Sequence, residues 1–60
     1  MDRDYDLFEV FPDGTQIWRD SVTGHEKAIR GLHELAALTE NEFRVMHIAT
    51  SSLIASMKRS

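Results

Sequence analysis

Hydrophobic and polar positions divide the chain into five stretches with different periodicities. Tyr5 to Phe11 (YDLFEVF) is rich in aromatic and β-branched residues and carries no helical stripe, which predicts a strand over 5–11. Pro12-Asp13-Gly14 follows. Proline presets the first turn position, aspartate suits the second, and glycine takes the left-handed conformation that closes a bulged hairpin. Thr15 to Val22 (TQIWRDSV) is the returning strand.

The period then changes. Thr23-Gly24-His25-Glu26 fits a capping box, with the threonine hydroxyl accepting from an amide three residues on and Glu26 reaching back. A helix over 24–38 carries Ala28, Leu32 and Leu35 on one stripe, flanked by Ile29, Ala36 and Leu38, with Glu26, Lys27, Arg30 and Glu34 opposite. Gly31 lies at the edge of the stripe and costs about 1 kcal/mol relative to alanine in a helix interior. A close approach of helix to sheet is its expected use, and an absence of selective pressure would explain it equally well. Thr39 to Glu42 is polar and breaks the stripe. Phe43 to Thr50 (FRVMHIAT) and Leu53 to Met57 (LIASM) read as a second strand pair around Ser51-Ser52.

The order strand–strand–helix–strand–strand predicts one α+β domain over 1–60. It is a two-layer ββαββ fold with a four-stranded antiparallel sheet and one helix on one face. A right-handed crossover that skips one position sets the strand order 2-1-3-4.

A three-residue loop pairs Phe11 with Thr15, Glu9 with Ile17, Phe8 with Trp18 and Leu7 with Arg19. Phe8, Val10, Trp18 and Val22 then share one face with Asp6 and Asp20. Tyr5, Leu7, Phe11 and Ile17 share the other, where Glu9 and Arg19 stand diagonally. In the second hairpin Met46, Ile48, Ala55 and Met57 fall on one side, and Phe43, Val45, Ala49 and Ile54 on the other. Both faces are apolar, whereas a sheet with one wet face alternates cleanly. The larger side chains assign the helix to the Phe8/Trp18 face. The opposite face is then expected to be the contact surface of a homodimer or of a protein partner, through Tyr5, Leu7, Phe11, Ile17, Arg19, Val45 and His47.

Composition narrows the function. Sixty residues with no cysteine leave no disulfide, thiolate zinc site or thiol chemistry. A chain this short buries only about 60% of its unfolded surface, so association with a partner chain is the expected source of extra stability. No apolar run approaches the roughly 20 residues of a membrane span. The acidic opening Met1 to Asp6 does not fit a secretory signal. These features predict a soluble, cytoplasmic, non-enzymatic protein without a cofactor.

The polar residues form no recognisable centre. His25 and His33 stand about 12 Å apart along a helix axis, too far for one metal ion, and His47 lies in a strand. Asp2, Asp4 and Asp6 alternate without the glycine turn and later glutamate of a calcium loop. Ser51, Ser52 and Ser56 lack a nucleophile pattern, and a chain this small has little room for a pocket of about 300 Å³. The basic residues Arg3, Arg19, Lys27, Arg30, Arg44, Lys58 and Arg59 are scattered in a chain of net charge −3, which disfavours nucleic acid. Convergence of Arg19, Arg44 and the Lys58-Arg59 tail on a dimer edge is the alternative, a nucleic-acid-associated regulator.

At Tyr5-Asp6-Leu7-Phe8-Glu9, Pro12-Asp13-Gly14, Trp18-Arg19, Val22 through Ala28 and Asn41-Glu42-Phe43 the chain resembles a group of short bacterial proteins without an assigned activity. The resemblance spans nearly the whole chain and implies a hairpin, a helix and a final strand pair; it brings no cofactor or site. A second resemblance is to antitoxins of the HicB type. It rests on Asp13-Gly14 between two strands and Gly24-x-Glu26-x-Ala28 opening a helix, and implies toxin neutralisation. The third strand and the Pro-Gly-rich segment that such antitoxins place before the helix are missing here.

Overall fold

The computed structural model of the chain describes residues 4–58. Strands β1 (Asp4–Val10) and β2 (Gln16–Thr23) form the first hairpin, α1 (His25–Ala36) follows, and β3 (Glu42–His47) and β4 (Ser52–Lys58) form the second. The sheet order is β2-β1-β3-β4, with every neighbouring pair antiparallel. The expected ββαββ topology is therefore the observed one.

The first turn closes as its residues dictate. The Phe11 amide donates to the Thr15 carbonyl at 2.8 Å, and the Gly14 amide to the Phe11 carbonyl at 2.9 Å. Gly14 has φ +92°, a value that a side chain would strain. The Asp13 carboxylate accepts from the Thr15 amide at 2.9 Å, and this bond holds the carboxyl below its ordinary pKa. The second turn spans 48–51, not Ser51-Ser52. His47 ends β3, Ser52 already belongs to β4, and Ser51 takes φ +54°.

Helix α1 covers the face carrying Tyr5, Leu7, Glu9, Phe43 and Val45, the reverse of the sequence assignment. Ala28, Leu32 and Ala36, spaced four apart, are the helix's buried residues. Small side chains at two of these positions let α1 lie close to the sheet. A Cβ on Gly31 would stand 3.3 Å from Leu7 Cδ2, so its predicted role in a close approach is the one it plays. The predicted capping box does not form. Gly24 (φ +98°) is the N-cap without a side-chain bond, and Thr23 Oγ1 instead donates to Asp4 Oδ1 at 3.0 Å across the hairpin. The helix also ends two residues early, leaving Leu38 exposed.

Two irregularities decide which residues face α1. In β2, Leu7 pairs with Asp20 and Phe8 with Trp18, so Arg19 is an extra residue and the predicted Leu7–Arg19 pair is displaced. The bulge moves Val22 opposite Tyr5, where it packs against the core, not beside Trp18. In β4, Val45 pairs with Ala55 and Met46 with Leu53, making Ile54 the extra residue. Ala55 and Met57 therefore join Val45 and Phe43 on the helix side, and do not share a face with Met46. Ile48 and Ala49 lie beyond β3 in the turn.

The tight packing at Gly31 makes an added side chain costly. Gly31→Val should destabilise the protein by about 1–3 kcal/mol through overpacking against Leu7. His33→Ala, on an exposed helix position, should stay within about 0.5 kcal/mol. Urea denaturation of the two variants checks the contrast.

Candidate interaction surface

The sheet face opposite α1 is built from three cross-strand rows. The middle row runs Trp18, Phe8, Arg44, Ser56 across β2, β1, β3 and β4. On one side lie Gln16, Val10, Glu42 and Lys58; on the other Ser21, Asp6, Met46 and Leu53. Period-two alternation puts these side chains on the surface that α1 does not reach. Trp18 and Leu53 are each 55% exposed, while Phe8, Val10 and Met46 are half-buried among their neighbours. Polar side chains on this face are tied down locally. Trp18 Nε1 donates to Asp6 Oδ1 at 3.2 Å, and Arg44 Nε donates to Glu42 Oε2 at 2.9 Å. The result is an aromatic and aliphatic band with one guanidinium at its centre.

This is not the surface the sequence reading selected. Tyr5, Leu7 and Val45 are core residues under α1 and unavailable for contact. His47 is half-buried, its ring 5.2 Å from that of Tyr5 and its Nδ1 3.0 Å from Thr50 Oγ1. Phe11 is half-buried beside the first turn. Ile17 remains 41% exposed because β2 is an edge strand, on the helix side opposite Glu9. Arg19 donates through Nε to Glu9 Oε1 at 2.7 Å, with a second bond from its terminal nitrogen to the same oxygen. Phe8, Val10, Trp18 and Met46 were missed as contact residues because the helix was expected on their face, and Leu53 because the bulge at Ile54 leaves no trace in the hydrophobic pattern.

Glu9 is the one buried acid among the described residues, 2% exposed on the helix-covered face. Besides Arg19 it accepts from Asn41 Nδ2 at 2.6 Å and Thr39 Oγ1 at 3.4 Å, and Thr39 Oγ1 in turn accepts from the Asn41 amide at 3.0 Å. The network fastens the loop after α1 to the first hairpin. Donation from Asn41 lowers the Glu9 pKa most; burial opposes it, and the Arg19 and Thr39 bonds lower it further.

Two further arrangements are present. Tyr5 stands between His47 and His25, whose ring is edge-on at 6.0 Å. No group of three metal-ligating side chains occurs among the described residues. An open cleft of about 490 Å³, larger than the sequence reading allowed, lies between Val10, Phe11, Pro12 and Gly14 of the first hairpin and Glu40, Asn41, Glu42 and Lys58. The basic residues of the alternative reading lie on different strands. Arg19 is bound to Glu9 on edge strand β2 and Arg44 to Glu42 on inner strand β3; Arg59 lies outside the described residues, as does Asp2 of the alternating aspartates. No described helix is long and apolar enough to cross a membrane.

A lowered folded-state pKa means that the ionised Glu9 stabilises the fold above its ordinary value of 4.5, and that this contribution disappears as pH falls through the lower folded value. Asp13 acts with the same sign. Thermal melts from pH 7 to pH 2 should therefore fall on the acid side. Glu9→Gln should be less stable at pH 7 and show a shallower acid decline, the remainder belonging in part to Asp13. No protein-family model, curated protein or solved structure matches the chain.

Proposed function

We propose that the chain is a small, non-enzymatic protein that works as a self-associated pair, with the helix-free sheet face of one copy packed against that of a second. The carrying observation is the exposure of Trp18 and Leu53 around Phe8, Val10 and Met46 on a face that α1 leaves open. Contiguous apolar surface of this kind marks contact sites on small proteins.

Size and shape favour a second copy as the occupant. Four strands about 4.8 Å apart, with about 20 Å of strand length, present a footprint on the order of 400 Å². Pleating and side-chain relief add accessible area, so two copies reach roughly the 1,000 Å² of a modest specific interface. Edge-to-edge pairing is less favoured. Both edge strands are interrupted by a bulge, at Arg19 in β2 and at Ile54 in β4, and bulged edges resist continuation of a ladder.

The single tryptophan makes the test direct. Sedimentation should give a dimer at concentrations on the order of 100 μM, and Trp18 emission should shift to the blue as concentration rises through the transition. Trp18→Gln should weaken association about tenfold or more while leaving far-UV dichroism intact, because Trp18 lies outside the core. A monomeric mass with concentration-independent emission over this range would overturn the proposal.

A further inference from the structure

The charge pattern of the open face selects one way for two copies to meet. Arg44 and Phe8 are direct partners on the two inner strands, in the middle row of the face. Two copies stacked face to face about a two-fold axis can place that axis across the strands or along them. An axis across the strands lays β1 on β1 and β3 on β3. The two Arg44 guanidinium groups then oppose each other at the centre of the contact, where water is excluded. Like charges so placed oppose association strongly.

An axis along the strands lays β1 of one copy on β3 of the other. Phe8 of each copy then receives Arg44 of the other copy, so the same cation–ring contact occurs twice. In this arrangement Asp6 meets Met46, Val10 meets Glu42 and Gln16 meets Lys58, and no residue directly opposes a like charge; the two Arg44 residues stand side by side, about one 4.8 Å strand spacing apart, each with its own Glu42. Each Arg44 keeps Glu42 on its own strand, so the guanidinium enters the contact already partnered. Planar, weakly hydrated guanidinium groups are suited to lie on aromatic faces.

We propose that the pair has its two-fold axis parallel to the strands, with each Arg44 seated on the Phe8 ring of the other copy. This rests on the face-to-face association above and adds its symmetry. It assigns Arg44 a role in holding the second copy that its bond to Glu42 alone would not.

Two measurements test it. The first is the dimer dissociation constant of Arg44→Met in a Glu42→Gln background, where no carboxylate is stranded, against Glu42→Gln alone. Loss of two cation–ring contacts should weaken the dimer about five- to thirtyfold. Tighter or unchanged association would overturn the proposal, since removing opposed guanidinium groups strengthens a dimer built on the other axis. The second uses the absence of native cysteine. Stacked sheets lie about 10 Å apart, beyond the reach of a disulfide, so a short bis-maleimide is the probe. Val10→Cys alone should cross-link to itself, because an axis along the strands lays each row on its own copy. Cross-linking only in a mixture of Val10→Cys and Asp6→Cys, or none in a sample that sedimentation shows to be dimeric, would overturn the axis while leaving self-association standing. A protein that never dimerises at all removes both.

Discussion

The bond between Arg19 and Glu9 is the constraint around which this small fold is arranged. Glu9 lies on the inward phase of β1, on the same side as Tyr5 and Leu7, and a carboxylate there is tolerable only with charged and polar partners. Arg19, the extra residue of β2, supplies the charge. The same insertion turns Val22 toward the core and leaves Trp18 outside. Asn41 and Thr39 complete the ring of donors and fasten the loop between α1 and β3, so one buried acid links the first hairpin to the start of the second.

Much of this was readable from the residues, and the remainder failed for physical reasons that the pattern of residues does not carry. Element order, strand order, the Pro12-Asp13-Gly14 turn and the tight approach at Gly31 depend on local chemistry or on topology, both of which sequence carries. The diagonal relation of Glu9 and Arg19 was legible as well. Facing was not. Both phases of β1 are apolar, Tyr5 and Leu7 on one and Phe8 and Val10 on the other, so residue size had to decide, and size pointed the wrong way. α1 packs its alanines and Gly31 against the phase of Tyr5 and Leu7, not the phase of Phe8 and Trp18. The bulges at Arg19 and Ile54 compounded the error, since an inserted residue in a strand has no compositional signature. Thr23 shows a related limit: the capping pattern was present, but Asp4 across the hairpin took the hydroxyl.

The open face follows from the same economy of parts. A twelve-residue helix shields one side of four strands, and the described residues hold no second helix for the other. Its tryptophan and arginine are nonetheless held in place, Trp18 by Asp6 and Arg44 by Glu42. Side chains fixed before contact lose less freedom when a partner arrives. Isologous pairing would turn a layer of mixed apolar and charged groups into an interior, completing a helix–sheet–sheet–helix stack from two identical halves.

The bulges also change how positions along the edge strands are to be counted. In β2, residues 16 and 18 belong to the open layer, whereas 20 and 22 belong to the helical layer. In β4, residue 53 belongs to the open layer, whereas 55 and 57 belong to the other. Parity thus inverts within a single strand. A polar-for-apolar scan along either edge would report solvent tolerance at alternate sites up to the inserted residue and the complementary set beyond it. The outer strands consequently behave as two short frames joined out of step, and adding or removing one residue would reassign half a strand without touching the turns that bound it.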